Sequence, residues 1–196
     1  MDGKRFFCAG ERGSPPAGTK KNGRDAEPGA GIIDSQSVKG TAESAEESGF
    51  DGFKKIKGRK YHIVTDTGGC VLAVGVHAAN IHDSQGAYPL LKTLFKTVPT
   101  IRRIWADQGY QGEALATWVK DTFACALAIV QRTTKGFQVL PRRWVVERTL
   151  AWLSRYRRLV RVYEKRVTSS VAMIWVASIR VLLKKLYPST DKEICI

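Results

Sequence analysis

Residues 59–78 read RKYHIVTDTGGCVLAVGVHA, and this stretch decides the fold class. Two runs rich in β-branched residues, 59–66 and 71–78, flank the four residues Thr67-Gly68-Gly69-Cys70. Two β-rich runs on either side of a glycine-containing turn predict a β-hairpin. We therefore expect a sheet that contains an antiparallel pair.

Helices and strands alternate on both sides of this hairpin. Downstream, the apolar spacing predicts a helix over 84–95, with Asp83 as its N-cap, and a second helix over 113–122. Upstream, residues 31–34 (GIID) form a short apolar run that ends in an acid. The remaining predicted elements are strands at 102–107 and 126–131, a basic helix at 142–161 that follows Pro141, and a last helix at 169–186. Mixed strands covered by helices are typical of an α/β layered domain.

The ends of the chain differ from its middle. Residues 1–29 are rich in Gly, Pro, Ala and charge without helical or strand periodicity, and we expect a disordered arm there. Residues 30–187 are predicted to form one domain, followed by a tail at 188–196. The polar segment that follows Asp34, up to residue 58, is predicted to be a long mobile loop.

The charge balance points to a polyanionic partner. Lys and Arg number 32 against 18 Asp and Glu, which gives a formal net charge of +14. Such a surplus attracts nucleic acid through counterion release, with a membrane surface or ribosomal RNA as alternatives. The most apolar stretch, 171–186, is interrupted by three cations and is predicted to be too short and too charged to span a bilayer, which needs about 20 apolar residues. We expect no membrane partner and a cytoplasmic location.

Three acids form the candidate catalytic site. Asp34 and Asp107 each follow an apolar run at the predicted end of a strand, where ligands gather in open α/β sheets. Glu147 lies on the basic helix, opposite the apolar stripe at 100° per residue. Three carboxylates offer hard oxygen ligands to two Mg²⁺ or Mn²⁺ ions, the arrangement used in two-metal phosphoryl transfer.

Spacing alone leaves alternatives open. Asp66 also ends a strand, Asp83 lies in a turn, and either fits the geometry as well as Asp34 does. Acids at strand ends often form turns or cap helices, and Glu147 could make only a surface ion pair with Arg143.

The amino-acid sequences around the three acids are more specific than the spacing between the acids. The segments 32–39 (IIDSQSVK) with 55–62 (KIKGRKYH), 104–110 (IWADQGY) and 140–148 (LPRRWVVER) resemble, in this order, the three catalytic blocks of DDE transposases of the bacterial insertion-sequence-five type, relatives of the insertion-sequence-four group. The resemblance implies an RNase H-like mixed sheet flanked by helices. It also implies that Asp34, Asp107 and Glu147 are the catalytic and metal-binding triad, holding two Mg²⁺ or Mn²⁺ ions.

The implied reaction is DNA strand cleavage at the ends of the element, followed by attack of the freed 3′-hydroxyl on target DNA. The partners expected are double-stranded DNA, as transposon ends and target, and a second copy of the chain in a homodimer, at the bacterial nucleoid. Two basic clusters flank the triad and are predicted to contact DNA phosphates. The predicted DNA-binding residues are Lys55, Lys57, Arg59, Lys60, Arg143, Arg148, Arg155 and Arg158.

The chain also departs from the family pattern. Arg143 matches the Arg of the insertion-sequence-four motif. Leu140 occupies the position of the motif's Tyr, and Ser154 occupies the position of its Lys. Arg155 and Arg158 are the candidates to replace that Lys. Family members carry a helical region before the first Asp, whereas only the arm precedes Asp34, so we expect a truncated, frameshifted or mis-started copy. The alternative functions are an inactive DNA-binding remnant and an RNase H-like nuclease without transposition.

Overall fold

A six-stranded mixed sheet with helices on both faces organises the protein. The structure is a computed structural model that describes residues 27–44, 47–130 and 142–187. Two 3₁₀ turns, Ala42–Ser44 and Gln108–Tyr110, accompany the main elements. In chain order these elements are β1 (Ala30–Lys39), β2 (Gly49–Asp51), β3 (Ile56–Thr65), β4 (Val71–Ala78), α1 (Asp83–Thr97), β5 (Arg103–Ala106), α2 (Glu113–Phe123), β6 (Ala126–Ile129), α3 (Arg143–Ser154), α4 (Arg157–Val160) and α5 (Val167–Leu186).

The strand order is β4-β3-β1-β5-β6, and β2 also pairs with β3. Strand β3 runs antiparallel to β1, β2 and β4, whereas β5 runs parallel to β1 and β6 runs parallel to β5. An antiparallel half joined to a parallel half is the mixed sheet that the sequence predicts. The expected α/β architecture, a mixed sheet flanked by helices, is confirmed.

The two faces of the sheet carry separate hydrophobic clusters. Successive residues of a strand point to opposite faces. Ile33 and Val64 accordingly pack under α1 and α2, while Ile32 and Ile63 pack under α3 and α5. Side chains of β1 at even-numbered positions, like that of Ile32, therefore face α3.

The hairpin prediction is confirmed, and β4 has the bounds expected from the sequence. Asp66 closes the turn, because its Oδ1 accepts hydrogen bonds from the amides of Gly68 at 2.8 Å and Cys70 at 2.7 Å. Helix α1 is also present, but its N-cap is His82 rather than Asp83. The Asp83 carboxylate turns inward instead and pairs with Lys60.

The loop predicted after Asp34 was wrong in part. Strand β1 continues to Lys39, and Asp34 lies within it, opposite Ile63. Strand β3 starts at Ile56 and so supplies partners for the polar residues that follow Asp34. Backbone pairing, rather than an apolar pattern, defines this half of β1.

The single helix predicted over 142–161 is divided into α3 and α4. Tyr156 has extended backbone angles between them, and Leu159 of α4 is still buried. The break returns the chain to β1, where the Val162 amide donates to the Lys39 carbonyl at 2.9 Å. Leu140 and Pro141, which precede the predicted helix, lie outside the described residues.

Helix α5 is longer and more apolar than predicted. It has 20 residues, and an 18-residue window of it reaches a mean hydropathy of 1.5, so its length and composition alone would allow it to cross a membrane. The prediction that this stretch is too short and too charged was therefore wrong. Its buried residues Ile174 and Ala177 pack in the same cluster as Val74 of β4 and Leu153 of α3. This packing makes α5 a covering helix of the sheet.

The predicted arm at 1–29 and tail at 188–196 fall outside the described residues, apart from 27–29. The carbonyls of Pro28 and Gly29 accept hydrogen bonds from the Thr100 hydroxyl at 3.1 Å and the Arg102 amide at 2.9 Å. These two residues are thus joined to the loop before β5.

Candidate active site

Asp34 and Asp107 lie on the sheet face that α3 covers. Asp34 lies two residues after Ile32 on β1, so the two side chains point to the same face of the sheet. Asp107 directly follows β5 and lies two residues after Trp105, so it continues the same alternation. Both Ile32 and Trp105 belong to the hydrophobic cluster under α3. The alternation of the strands therefore turns both acids toward the helix that carries Glu147.

Arg143 stands among the three predicted acids. Its Nη2 lies 3.1 Å from Glu147 Oε1, 3.7 Å from Asp107 Oδ2 and 3.8 Å from Asp34 Oδ2. Arg143 and Glu147 are four residues apart on α3, so they share one face of the helix. The structure thus brings all three members of the predicted triad around one guanidinium nitrogen.

Backbone amides hold the two aspartates in place. Asp34 Oδ1 accepts a hydrogen bond from the Ser35 amide at 2.8 Å, and Asp107 Oδ1 accepts one from the Gly109 amide at 2.9 Å. In each residue the other oxygen, Oδ2, is the one that approaches Arg143. The carboxylates are therefore oriented before any ligand arrives.

The electrostatics of Asp34 favour a cation at this position. Burial raises the pKa of Asp34 to about 7, against the lowering effects of the Ser35 amide and Arg143, and the charges of Asp107 and Glu147 raise it further. The Asp34 side chain is 14% exposed, whereas that of Glu147 is 49% exposed. The site is thus a small acidic recess with one wall open to solvent.

The donor set fits a hard divalent cation. Carboxylate oxygens are the ligands that Mg²⁺ and Mn²⁺ prefer. A cation near Asp34 would also favour its ionised form. Among the described residues, however, no three His, Cys, Asp or Glu side chains stand close enough together to hold a metal ion. The Arg143 guanidinium occupies the position between the acids.

The two alternative acids lie elsewhere. Asp66 closes the hairpin turn, as described above. Asp83 lies on the opposite face of the sheet, where its Oδ1 accepts hydrogen bonds from Lys60 Nζ and Ser35 Oγ, both at 2.8 Å. Burial opposes the ionisation of Asp83, but these two donors keep its pKa below the ordinary value. Neither acid joins the group around Arg143.

A buried histidine chain lies behind the site, on the same face as Asp83. His77 Nδ1 donates to the Ala78 carbonyl at 3.0 Å, which leaves His77 Nε2 to accept from His62 Nδ1 at 3.2 Å. His62 Nε2 then accepts from the Tyr110 hydroxyl. These roles follow if both imidazoles are neutral. Burial, together with the neighbouring His77, lowers the pKa of His62 to about 3.

Sequence reasoning missed Ser35, which donates a hydrogen bond to Asp83, and Tyr110, which donates one to His62. Each follows a triad acid in its motif: Ser35 is next to Asp34, and Tyr110 closes the turn after Asp107. Their place in the motifs was the signal for a supporting role.

Two predicted DNA-binding residues are not on the surface. Arg59 is fully buried, and its guanidinium donates to the carbonyls of Glu164 at 2.9 Å and Lys165 at 2.6 Å. Lys60 is 7% exposed and pairs with Asp83. Both faces of β3 are covered, so a run of charge there is not a solvated face. This burial removes Arg59 and Lys60 from the predicted DNA-binding set.

The other predicted DNA-binding residues have different surroundings. Lys55, Lys57 and Arg155 are exposed, and Arg158 is exposed but pairs with Glu164 at 2.7 Å. Arg148 lies over the rings of two tryptophans of α3. Their contact with DNA stays a prediction.

Comparisons with known proteins identify the family of the chain. Residues 25–182 match the model of the family described as "Transposase DDE domain". The chain is 35% identical over 120 residues to a Burkholderia cepacia protein named "Putative transposase for insertion sequence element IS402", a match that covers 56% of this chain and 55% of that protein. The chain thus spans about half the length of this relative.

Among solved structures, the catalytic core domain of BIV integrase resembles the chain with a TM-score of 0.48 and 11% sequence identity, over 86% of this chain and 87% of that one. The family match covers most of the chain and includes all three acids of the site. The chain therefore belongs to the family of transposase DDE domains.

Proposed function

We propose that the chain cleaves DNA at the ends of an insertion sequence of the insertion-sequence-five type and transfers the freed strand to target DNA. The observation that carries the proposal is the convergence of Asp34, Asp107 and Glu147 on Arg143 Nη2. Phosphoryl transfer of this kind depends on positioning and on charge stabilisation around the reacting phosphate. The three acids and Arg143 would supply the positioning and the charge stabilisation.

The residues of the site have distinct parts in the proposed reaction. Glu147, on the open wall, is the acid that DNA reaches first. Arg143 is held in the recess with its side chain 9% exposed, and its charge suits a phosphate oxygen. Asp34 and Asp107 are fixed by backbone amides and define the base of the site.

Asp34, Asp107 and Glu147 are also the residues that would hold Mg²⁺ or Mn²⁺, as two ions. When bound, these cations would stabilise charge on the attacking and leaving oxygens of the phosphodiester. Arg143 would then turn from the carboxylates toward the DNA backbone.

The proposed partner is double-stranded DNA, both at the ends of the element and at the target, and the net charge of +14 supports an electrostatic attraction to it. A second copy of the chain in a homodimer, and a cytoplasmic location at the nucleoid, belong to the same proposal.

The direct test is nicking of a DNA duplex that carries an element end, with Mn²⁺ or Mg²⁺ and with EDTA as the control. Wild-type protein should nick the duplex only with the metal, and Asp107→Asn should abolish nicking. Asp121→Asn, which neutralises an exposed acid of α2, is the matched control and should nick normally. Nicking that survives Asp107→Asn would refute the assignment of the triad.

A second candidate function is DNA binding without cleavage. It is favoured by the absence of a ready-made metal cluster among the described residues, since Arg143 stands between the acids. Wild-type protein that binds DNA but neither nicks it nor is stabilised by Mn²⁺ would select this candidate.

A further inference from the structure

A basic groove lies between the end of α3 and the last turns of α5. The cavity has a volume of about 640 Å³. It is far larger than a single phosphate group. Five cations line it beside the Trp152 ring: Arg155, Arg157, Arg180, Lys184 and Lys185.

No carboxylate lies within ion-pair distance of these five cations in the part of the chain that the structure describes. Nor does any carboxylate of residues 27–44, 47–130 and 142–187 line the groove. Arg158, just outside the groove, is paired with Glu164. A concave surface lined by one sign of charge focuses its field on ligands of the opposite sign.

Positive charge is also crowded around the Trp152 ring. The Arg148 guanidinium lies 4.6 Å from the centre of this ring, and Lys185 Nζ lies 5.1 Å from it. Burial and the charge of Arg148 lower the pKa of Lys185. An anion bound in the groove would reduce the repulsion between Arg148 and Lys185.

The groove and the candidate active site both include residues of α3. Trp144, Arg148 and Trp152 recur every four residues and therefore share one face of the helix. Glu147 immediately precedes Arg148. A strand that passes Glu147 can thus continue along this face toward Arg155 and the groove.

We propose that the α3–α5 groove binds the phosphodiester backbone of DNA beside the active site. This inference rests on the proposed function, which makes DNA the substrate. The cations line a concave surface, which a nucleic acid strand can enter and a flat lipid surface cannot. The exposed aromatic and basic side chains of α3 suit a backbone with neighbouring bases.

The test compares two charge reversals of equal size. Arg180→Glu with Lys184→Glu changes two exposed cations of the groove. Lys96→Glu with Lys120→Glu changes two exposed cations on α1 and α2, under the other face of the sheet. Binding to a fluorescein-labelled duplex is measured by anisotropy in EDTA over a range of salt concentrations, after thermal unfolding has confirmed that each variant is folded.

We expect the groove variant to lose affinity by about tenfold or more and the control by much less. The slope of log Kd against log salt should decrease by about 1.8 in the groove variant, since each lost phosphate contact accounts for about 0.9. Equal losses in both variants, or an unchanged Kd in the groove variant, would overturn the proposal. Lost binding to phosphatidylglycerol vesicles with unchanged DNA binding would assign the groove to a membrane surface and overturn it as well.

Failure of the proposed function would look different. Wild-type protein that does not nick DNA, but binds it through the groove, would refute cleavage and leave the groove assigned. Metal-dependent nicking in the groove variant with an unchanged Kd would refute the groove and leave cleavage intact.

Discussion

Asp34 on β1 and Asp107, the residue directly after β5, lie at equivalent positions relative to two neighbouring parallel strands. The ladder pairs Ala30 with Arg103 and Ile32 with Trp105, and the same offset, extended two residues beyond the ladder, brings Asp34 level with Asp107. They therefore point to one face side by side, although they are far apart in the sequence. The sheet itself supplies two of the three carboxylates, and α3 supplies the third.

Asp34→Asn should change stability in opposite directions with and without metal. Burial raises the pKa of Asp34 to about 7, so keeping it ionised at alkaline pH costs the folded state free energy that a neutral amide does not. In EDTA at alkaline pH we expect the variant to be more stable than wild type by about 1 kcal/mol. In Mn²⁺ the wild type should gain stability and the variant should gain little.

Thermal unfolding in EDTA and in Mn²⁺ measures both effects. Asp121→Asn is the control and should respond to Mn²⁺ as the wild type does. An equal rise in melting temperature for Asp34→Asn and wild type in Mn²⁺ would contradict a metal site at Asp34.

Arg143→Met should destabilise the metal-free protein. The change keeps most of the side-chain volume and removes the charge that faces Asp34, Asp107 and Glu147. We expect a loss of about 1–3 kcal/mol in EDTA, because three carboxylates are left without a cation. Urea denaturation with and without Mn²⁺ measures the loss and its recovery by metal.

Arg155→Met is the matched control for this variant, since Arg155 is exposed and outside the recess. A loss of the same size in both variants, or no recovery of Arg143→Met by Mn²⁺, would contradict a cation requirement at the site.

Arg59→Met should affect folding rather than DNA contact. Its guanidinium holds the Glu164 and Lys165 carbonyls and the Ser170 hydroxyl, just before and within the first turn of α5. We expect the free energy of unfolding to fall by about 3 kcal/mol. Lys57→Met, at an exposed position of the same strand, should change it by less than about 0.5 kcal/mol. Near-neutral stability of Arg59→Met would show that this packing is not needed.

Arg59 also shows where sequence reasoning stops. A dense run of Lys and Arg before a strand predicts a solvated face, and Lys55 and Lys57 do lie on one. Arg59 and Lys60 are buried because helices cover both faces of β3, and alternation then gives no exposed side. Which faces are covered depends on the tertiary packing of α1 and α5, which no local pattern records.

The positions of the candidate acids were predictable for the opposite reason, while their role as a catalytic triad stays a prediction. Asp107 and Glu147 follow from local features, the end of an apolar run and one face of an amphipathic helix. The extension of β1 beyond Asp34 was not predictable, because its polar residues pair with β3 without any apolar pattern. Likewise, the position of Arg143 among the acids arises only when α3 packs on the sheet.

The stability of the protein should fall in acid through His62. Its pKa in the folded state is about 3, against an ordinary value of 6.5, so the folded state keeps it neutral. The unfolded chain takes up a proton as the pH falls below about 6.5, which favours unfolding. The contribution of His62 is therefore complete above this pH and is lost as the pH falls toward 3.

Melting temperatures measured from neutral pH down to about pH 4 test this linkage. The variant His62→Gln should have a lower melting temperature at neutral pH and a shallower decline in acid. Repulsion among the many cations affects both proteins, so the difference between their slopes isolates the imidazole. Identical slopes would contradict the neutral histidine chain.

Gly86→Ala should destabilise the protein although Gly86 lies inside α1. At an exposed helical position this change stabilises a helix by about 1 kcal/mol. Here the added Cβ would lie 2.3 Å from His77 Nε2 and 2.8 Å from His62 Nδ1, closer than such atoms can approach. We expect a loss of about 1–3 kcal/mol in urea denaturation, as is usual for overpacking. Gly52→Ala, where nothing lies within 4 Å of the new Cβ, is the control and should be nearly neutral.

A double variant tests the cause of this loss. Combining Gly86→Ala with His77→Ala removes the obstructing ring, so the loss of stability caused by Gly86→Ala should be smaller in the His77→Ala background. An equal loss of stability with and without the His77 ring would show that the close approach of α1 to the histidine chain is not what requires glycine.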